Sequence, residues 1–396
     1  MMDITKAETF EERMDILNET IAPFTERAAQ NDREGRFPFE NINELKAINY
    51  PALTIPKEYG GAGISLVEML RYQEAISRAD GSTGLSIGWH MGIVKDLGET
   101  NKWDESVLVA LFDDIKARGA LINNCATEKQ TGSPTRGGKP STTARKEGGS
   151  WIIDGRKSFT SMAPVLDYFN VTAVIEETGE VGYFLVPRSA DGVAIDETWD
   201  SVAMTGTGSH DLVLTGVQVE ESALVEISVP GKKQPAGWLL HIPACYLGIA
   251  QAAQDYAIRF AQDYSPNSLN GPIIELPNVK QKIGQIELEL QRARHFLYSV
   301  AKKWDESDDE QRSQMAAELG AVKVAVTNSA VDIVDLAMRV AGAHSLSEKS
   351  PLQRYYRDVR AGLHNPPMED MVIPLLADFA IGNQSVQKKL DEQVLK

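Results

Sequence analysis

The chain has 396 residues, 42% hydrophobic and 24% charged, a globular composition that excludes a disordered or fibrous protein and allows two or three packed units. Its 40 basic and 56 acidic residues give a formal net charge of −16 with no basic stripe, which excludes a nucleic-acid partner, since neutralising phosphates needs clustered Lys and Arg. Cys125 and Cys245 are too few for a disulfide framework or a four-cysteine metal site, and fit a reducing, cytoplasmic setting.

Met1 to Arg13 carries acidic residues where a secretory signal needs a basic segment and then an apolar one, so no leader is expected. Helical spacing of Met14, Leu17, Ile21 and Phe24 predicts a helix from Phe10 to Gln30, and a second short one covers Phe39 to Ile48. Tyr59-Gly-Gly-Ala-Gly63 is a loop. Ser65 and Glu68 form a capping box for a helix running to Ser77. Helices over Asp80 to Leu97 and Asp104 to Ala117 continue the pattern.

Near Gly119 the texture changes to short β-branched and aromatic runs broken by Gly, Pro and Asp. Leu121 to Thr127, Ser141 to Lys146, Trp151 to Thr160, Tyr168 to Ile175, Val181 to Val186 and His210 to Val219 predict a small antiparallel sheet, a barrel or sandwich. Helices return over Gly237 to Gln262, Pro277 to Asp305, Asp308 to Ala341 and Leu352 to Leu363, with Leu290, Ala293, Leu297 and Val300 as one core-facing stripe. The uncharged stretch Gln234 to Gln254 is long enough to span a bilayer, but Pro235, Pro243, His241 and its glutamines suit a buried bundle helix, and no membrane partner is expected. The expected fold is α+β, with an N-terminal helical domain over 1–120, a middle β-domain over 121–230 and a C-terminal four-helix bundle over 231–396. A cofactor is most naturally held where the three meet.

Familiar nucleotide fingerprints are absent. No Walker loop occurs, and Gly206 and Gly208 precede a strand where a Rossmann motif needs a helix. His241 and Cys245, four apart, make half a zinc site at best, so no metal is expected. No G-x-S-x-G elbow anchors serine hydrolysis. Four segments remain. They are Cys125-Ala-Thr-Glu-Lys-Gln-Thr-Gly-Ser-Pro134, Asp154-Gly-Arg-Lys-Ser-Phe-Thr-Ser-Met-Ala163, Met204-Thr-Gly-Thr-Gly-Ser-His-Asp211 and Leu352-Gln-Arg-Tyr-Tyr-Arg-Asp358.

In this order, on an α–β–α layout, these segments resemble the acyl-CoA dehydrogenase superfamily over essentially the whole chain. The resemblance implies an oxidoreductase flavoprotein carrying FAD, with FMN as the alternative. Thr127 matches a hydroxyl that donates to the polar edge of the flavin ring, the protein's main lever on a cofactor that brings its own redox chemistry. Gly132 and Ser133 match a close approach to flavin and substrate, where a side chain on the glycine would obstruct. Phe159 and Ser161 match the aromatic and the hydroxyl on the ring's other side, and Ser209 joins Ser133 on the substrate side. Read without the family, Gly132-Ser133 is a hairpin turn and Phe159 is sheet packing. Arg354, Arg357 and Asp358 read as a buried ion-pair network.

The match breaks at the base. Family dehydrogenases use a glutamate to abstract the proton beside the thioester carbonyl, at one of two positions, and here those positions hold Pro366 and Trp238. Glu369 and Asp370 are near enough to substitute. The family's Arg-x-Phe-Gly is replaced by Ser268-Leu-Asn-Gly271, without the arginine. Ser350-Pro-Leu-Gln-Arg354, His364, and His90 in Gly88-Trp-His-Met91 look instead like the flavin-dependent monooxygenase branch of the same fold, in which a separate reductase supplies reduced flavin and histidines assist the oxygen chemistry. Held apart from the resemblance, the two histidines are buried side chains holding carbonyls.

Three readings follow. The leading one is an acyl-CoA dehydrogenase acting on an acyl-CoA thioester in fatty acid metabolism, with hydride passing to FAD and an unusual base. The second is a two-component reduced-flavin monooxygenase, and the third a catalytically silent flavin- or acyl-binding protein. The candidate catalytic residues are His364, His90 and Glu369. The resemblance also implies a homo-oligomer, a tetramer built as a pair of dimers, and an electron-transfer or flavin-reductase partner.

Overall fold

Pro23 divides the first predicted helix. In the structure, a computed structural model describing residues 2–132, 138–229 and 234–394 with side chains to residue 382, α1 (Phe10–Ile21) ends before it and α2 (Phe24–Glu34) starts after it. α3 (Phe39–Ala47), α4 (Leu66–Ala79), α5 (Gly81–Thr100) and α6 (Glu105–Arg118) complete the amino-terminal helices. The capping box at Ser65 is half made. The Ser65 hydroxyl accepts the Glu68 amide, but the Glu68 carboxylate turns to Arg13, 2.7 Å away, and to Tyr72. A full box forms instead between Thr9 and Glu12.

The middle of the chain forms one eight-stranded sheet. Its strands are β1 (Ile122–Cys125), β2 (Thr143–Glu147), β3 (Ser150–Thr160), β4 (Tyr168–Ile175), β5 (Val181–Pro187), β6 (Val193–Asp196), β7 (His210–Glu220) and β8 (Leu224–Ile227). Their order is β6-β7-β3-β2-β4-β5-β8, with β1 also on β4. The expected antiparallel sheet is mixed, because β1 and β2 both lie parallel to β4. The chain leaves β1, loops out, and returns to the same strand in the same direction. β6 and β8, unpredicted, are four-residue edge strands too short to show an alternation.

α7 (His241–Asp263) follows a 3-10 turn over Gly237–Leu240, so the predicted start at Gly237 is a tighter turn than an α-helix. Pro243 lies in the first turn of α7, where no helix amide is needed. α8 (Pro277–Glu306) carries Leu290, Ala293, Leu297 and Val300, all buried. The long helix expected from Asp308 breaks at Gln314–Met315 into α9 (Asp309–Ser313) and α10 (Ala316–Ala341). α11 (Pro351–His364) and α12 (Glu369–Val394) end the described chain, and α12 was not anticipated. α7 packs against α4, α5, α8, α10 and α11 and is the core's central strut. Among the described residues, no helix is long and apolar enough to cross a membrane.

Candidate functional site

The site is built where β3 ends. The β3–β7 register slips between Lys157 and Thr160, and this bulge puts Phe159 in the left-handed region at φ 57° with 61% of its surface exposed. An aromatic side chain in that conformation costs about 1–3 kcal/mol and persists only where its neighbours hold it. The neighbours are on both sides. Ser158 donates its amide to the Thr127 carbonyl at 2.8 Å, Ser161 donates to the Phe159 carbonyl at 2.9 Å, and Met162 donates to the Thr207 carbonyl at 3.0 Å. The Trp199 ring meets Phe159 edge-on, with centroids 6.0 Å apart.

Thr127 leaves β1 beside this bulge. Its hydroxyl has no hydrogen-bond partner among the described residues. Gly132, at φ 72°, exchanges both backbone hydrogen bonds with Glu128, and among the described residues no atom lies within 4 Å of where a Cβ would stand. Ser133 lies outside the described residues. Glu128 anchors the segment from below. Its buried carboxylate accepts from Lys157 Nζ at 2.6 Å, from the amides and hydroxyls of Ser141 and Thr142, and from Thr131. Burial alone would raise this carboxyl, but the Lys157 ammonium and the Ser141 and Thr142 donors outweigh it and hold it well below the usual carboxylate range.

On the other side, Ser161 Oγ is 2.9 Å from Ser209 Oγ, and Ser209 Oγ is 2.8 Å from Thr207 Oγ1. The loop carrying Thr207 and Ser209 is pinned by α11. Asp358 accepts the Met204 amide, and Arg357 donates to the Val202 carbonyl at 2.6 Å and to Asp32 at 2.6 Å. The late ion-pair segment therefore sets the position of a loop at the site.

The fold brings Thr127, Gly132, Phe159, Ser161 and Ser209 to one region. An exposed aromatic face beside one hydroxyl without a partner among the described residues and another that is half-buried fits a flat, polar-edged flavin ring. Thr207, Trp199 and the Glu128–Lys157 pair were missed by sequence reasoning, and only the alternation of hydroxyls and glycines over residues 205–209 hinted at the first.

Of the three candidate acid–base residues, one is enclosed and two are exposed. His90 is fully buried, with Nε2 donating to the Pro51 carbonyl at 3.1 Å and Nδ1 accepting the Ile122 amide at 3.2 Å. Both nitrogens hydrogen-bond to backbone, burial pushes its pKa down to about 4, and the ring joins α5 to β1. His364 is exposed at the end of α11, next to Asn365, which accepts from the Tyr246 hydroxyl of α7. Glu369 is exposed in the first turn of α12 and accepts from Asn328 of α10 at 3.3 Å. Trp238 stacks on His241 at 5.7 Å and meets Trp89 edge-on at 6.1 Å, filling the seam where α7 begins.

A helical layer, a mixed sheet with an exposed aromatic at the end of β3, and a second helical bundle are the architecture of a flavoprotein oxidoreductase. More narrowly, the chain belongs to the acyl-CoA dehydrogenase family. Residues 8–99 match that family's N-terminal domain, 123–217 its middle domain and 240–365 its C-terminal domain. It is 53% identical, over 92% of this chain and 95% of the relative, to a Bacillus subtilis (strain 168) protein named "Putative acyl-CoA dehydrogenase YdbM". It is 26% identical to the short-chain specific acyl-CoA dehydrogenase of Mus musculus, over 87% of this chain and 84% of that one. Among solved structures, FMN-bound TdsC from Paenibacillus sp. A11-2, a dibenzothiophene monooxygenase, shares the fold at TM-score 0.83 and 23% identity, covering 93% of this chain and 97% of that one.

Proposed function

We propose that this protein is a reduced-flavin-dependent monooxygenase on the acyl-CoA dehydrogenase fold, acting on a small molecule and receiving reduced flavin from a separate reductase. The observation that carries this reading is the absence of a proton acceptor at either base position. Pro366 has no ionisable group, and the Trp238 indole nitrogen is a donor only. Dehydrogenation needs a base held on the substrate's acidic C–H, within about 3 Å of it. The retained flavin segments do not separate the two reactions, since either needs the ring held the same way.

Flavin, once bound, supplies the redox and oxygen chemistry. The chain's part is to hold it. Thr127, Phe159 and Ser161 are the residues that would hold it, Thr127 with its hydroxyl, Phe159 with its exposed ring and Ser161 from the side of Ser209. His364, at the exposed end of α11, is the residue free to move a proton at the substrate. The dehydrogenase reading would need Glu369 to leave Asn328 and reach the substrate as the base.

The test supplies the protein with FMN or FAD, NADH, a flavin reductase and 18O-labelled oxygen. The substrate panel holds small aromatic and sulfur compounds together with acyl-CoA thioesters. A product carrying one labelled oxygen atom is expected. Formation of an α,β-unsaturated thioester without label refutes the proposal.

A further inference from the structure

Trp199, the ring that meets Phe159, lies on a segment outside every strand. The β6–β7 pairing stops at Asp196 and Asp211. Beyond it, Thr198 Oγ1 accepts the Asp211 amide at 3.1 Å, and the Trp199 amide donates to Nδ1 of His210 at 3.1 Å. The Trp199 indole donates to the Met204 carbonyl at 3.2 Å. Trp199 is thus held at two points, and one of them is a histidine. A main-chain N–H can only donate, so Nδ1 of His210 presents its lone pair and the ring hydrogen is on Nε2. A proton that charged this ring would have to land on Nδ1, the atom the Trp199 amide occupies. Ring charge and this hydrogen bond therefore exclude each other. His210 is half-buried at the start of β7, paired with Thr160 just past the bulge of β3. Burial holds its pKa below the ordinary value, against the pull of Glu197, Asp211 and Asp196. Arg156 of β3 pairs with Asp196 and Asp211, and Lys129 with Asp211, which weakens that pull.

We infer that His210 is a positioning residue of the flavin site: uncharged, it holds Trp199 against Phe159, and on taking up a proton it releases Trp199 and the site loses affinity for flavin. The inference rests on the flavin reading above. Phe159, at φ 57°, keeps its left-handed conformation only while its neighbours hold it, and Trp199 is the ring set against it. Once its amide is released, Trp199 keeps only the indole bond to Met204, on a segment with no strand pairing of its own. Phe159 then relaxes, and its exposed face is no longer presented to the flavin ring.

The test is the affinity for FMN and FAD between pH 8 and pH 5.5, followed by flavin fluorescence, in the wild type, His210→Asn and His210→Leu. Asparagine offers Trp199 an amide oxygen that cannot take up a proton, and leucine offers no acceptor. At pH 8, His210→Leu should bind flavin about tenfold more weakly than wild type, and His210→Asn should recover most of that loss. The ratio of wild-type to His210→Asn affinity should fall about fivefold from pH 8 to pH 5.5, the change setting in below the ordinary histidine value of about 6.5. Titration of the flavin phosphate or of Asp358 is common to both proteins and cancels in this ratio. In a Trp199→Ala background the same exchange at His210 should leave the pH profile unaltered. Should His210→Leu not fold, the wild-type to His210→Asn ratio decides alone. Parallel profiles in those two proteins, or a divergence that persists in Trp199→Ala, overturn the role of His210 while leaving the flavin site standing. Binding of neither flavin by the wild type at any pH overturns the site itself.

Discussion

Asp358, on α11, accepts the main-chain amide of Met204 at 2.6 Å across 154 residues of sequence. A carboxylate in the C-terminal bundle thus holds a left-handed residue (φ 52°) at the base of the loop that carries Thr207 and Ser209. Burial pushes the Asp358 carboxyl up to about 7, against the opposing pull of the Met204 amide and Arg354. The ordinary value in an unfolded chain is about 3.9. Between those two values the folded protein keeps a proton that the unfolded chain has released. The stability from this group is therefore complete at low pH and is lost as pH rises toward 7.

Asp358→Asn keeps an acceptor for Met204 and cannot ionise. Its melting temperature relative to wild type should rise between pH 5 and pH 8, as measured by thermal melts at the two values. A gap that stays constant with pH would show that this carboxyl does not titrate in the window.

His90 behaves in the opposite sense. Its folded value of about 4, set by burial, lies below the ordinary 6.5, so its neutral form favours the folded state and stability rises as pH climbs through that interval. His90→Phe leaves the Pro51 carbonyl and the Ile122 amide unpaired and should cost about 2–5 kcal/mol in urea unfolding. Its flavin affinity, measured where the variant is folded, should be unchanged. A loss of turnover with full stability would return His90 to the acid–base machinery.

Phe159 separates strain from function. Phe159→Gly removes the left-handed penalty and an exposed ring, so the flavin-free protein should be no less stable than wild type, and about 1 kcal/mol more stable if strain dominates. Flavin affinity should fall in the same variant, as followed by fluorescence quenching. Destabilisation with unaltered flavin binding would make Phe159 a packing residue.

The buried Lys157–Glu128 pair is an anchor. Lys157→Met leaves Glu128 charged and uncompensated, and should cost about 3–5 kcal/mol. The double variant Lys157→Met, Glu128→Leu should recover part of that loss in stability, though the loop it fastens would be less well held. Equal destabilisation in the single and double variants would contradict the pairing.

The α–β–α order was legible because helical and alternating periodicities change visibly near residues 119 and 235. Tyr168 to Ile175 was read to the residue, being a β-branched run closed by turn signals at both ends. The motif segments also placed Thr127, Phe159, Ser161 and Ser209 together. Illegible were features fixed by distant partners. Arg357 meets Asp32 across 325 residues, and the parallel pairing of β1 with β4 depends on a loop's return path. The backbone contacts of His90 were illegible because a histidine holding two backbone groups has no signature of its own in a sequence. Nothing in Lys-Ser-Phe-Thr predicted a left-handed aromatic, since residues of that kind rarely adopt the conformation.

The most direct test of the central claim is an anaerobic titration of the flavin-loaded protein with acyl-CoAs of graded chain length, following the flavin's visible absorbance. With Pro366 and Trp238 at the base positions, no thioester should bleach the flavin, while dithionite should bleach it fully. Bleaching by any one chain class would contradict the monooxygenase account and direct attention to Glu369 as the base.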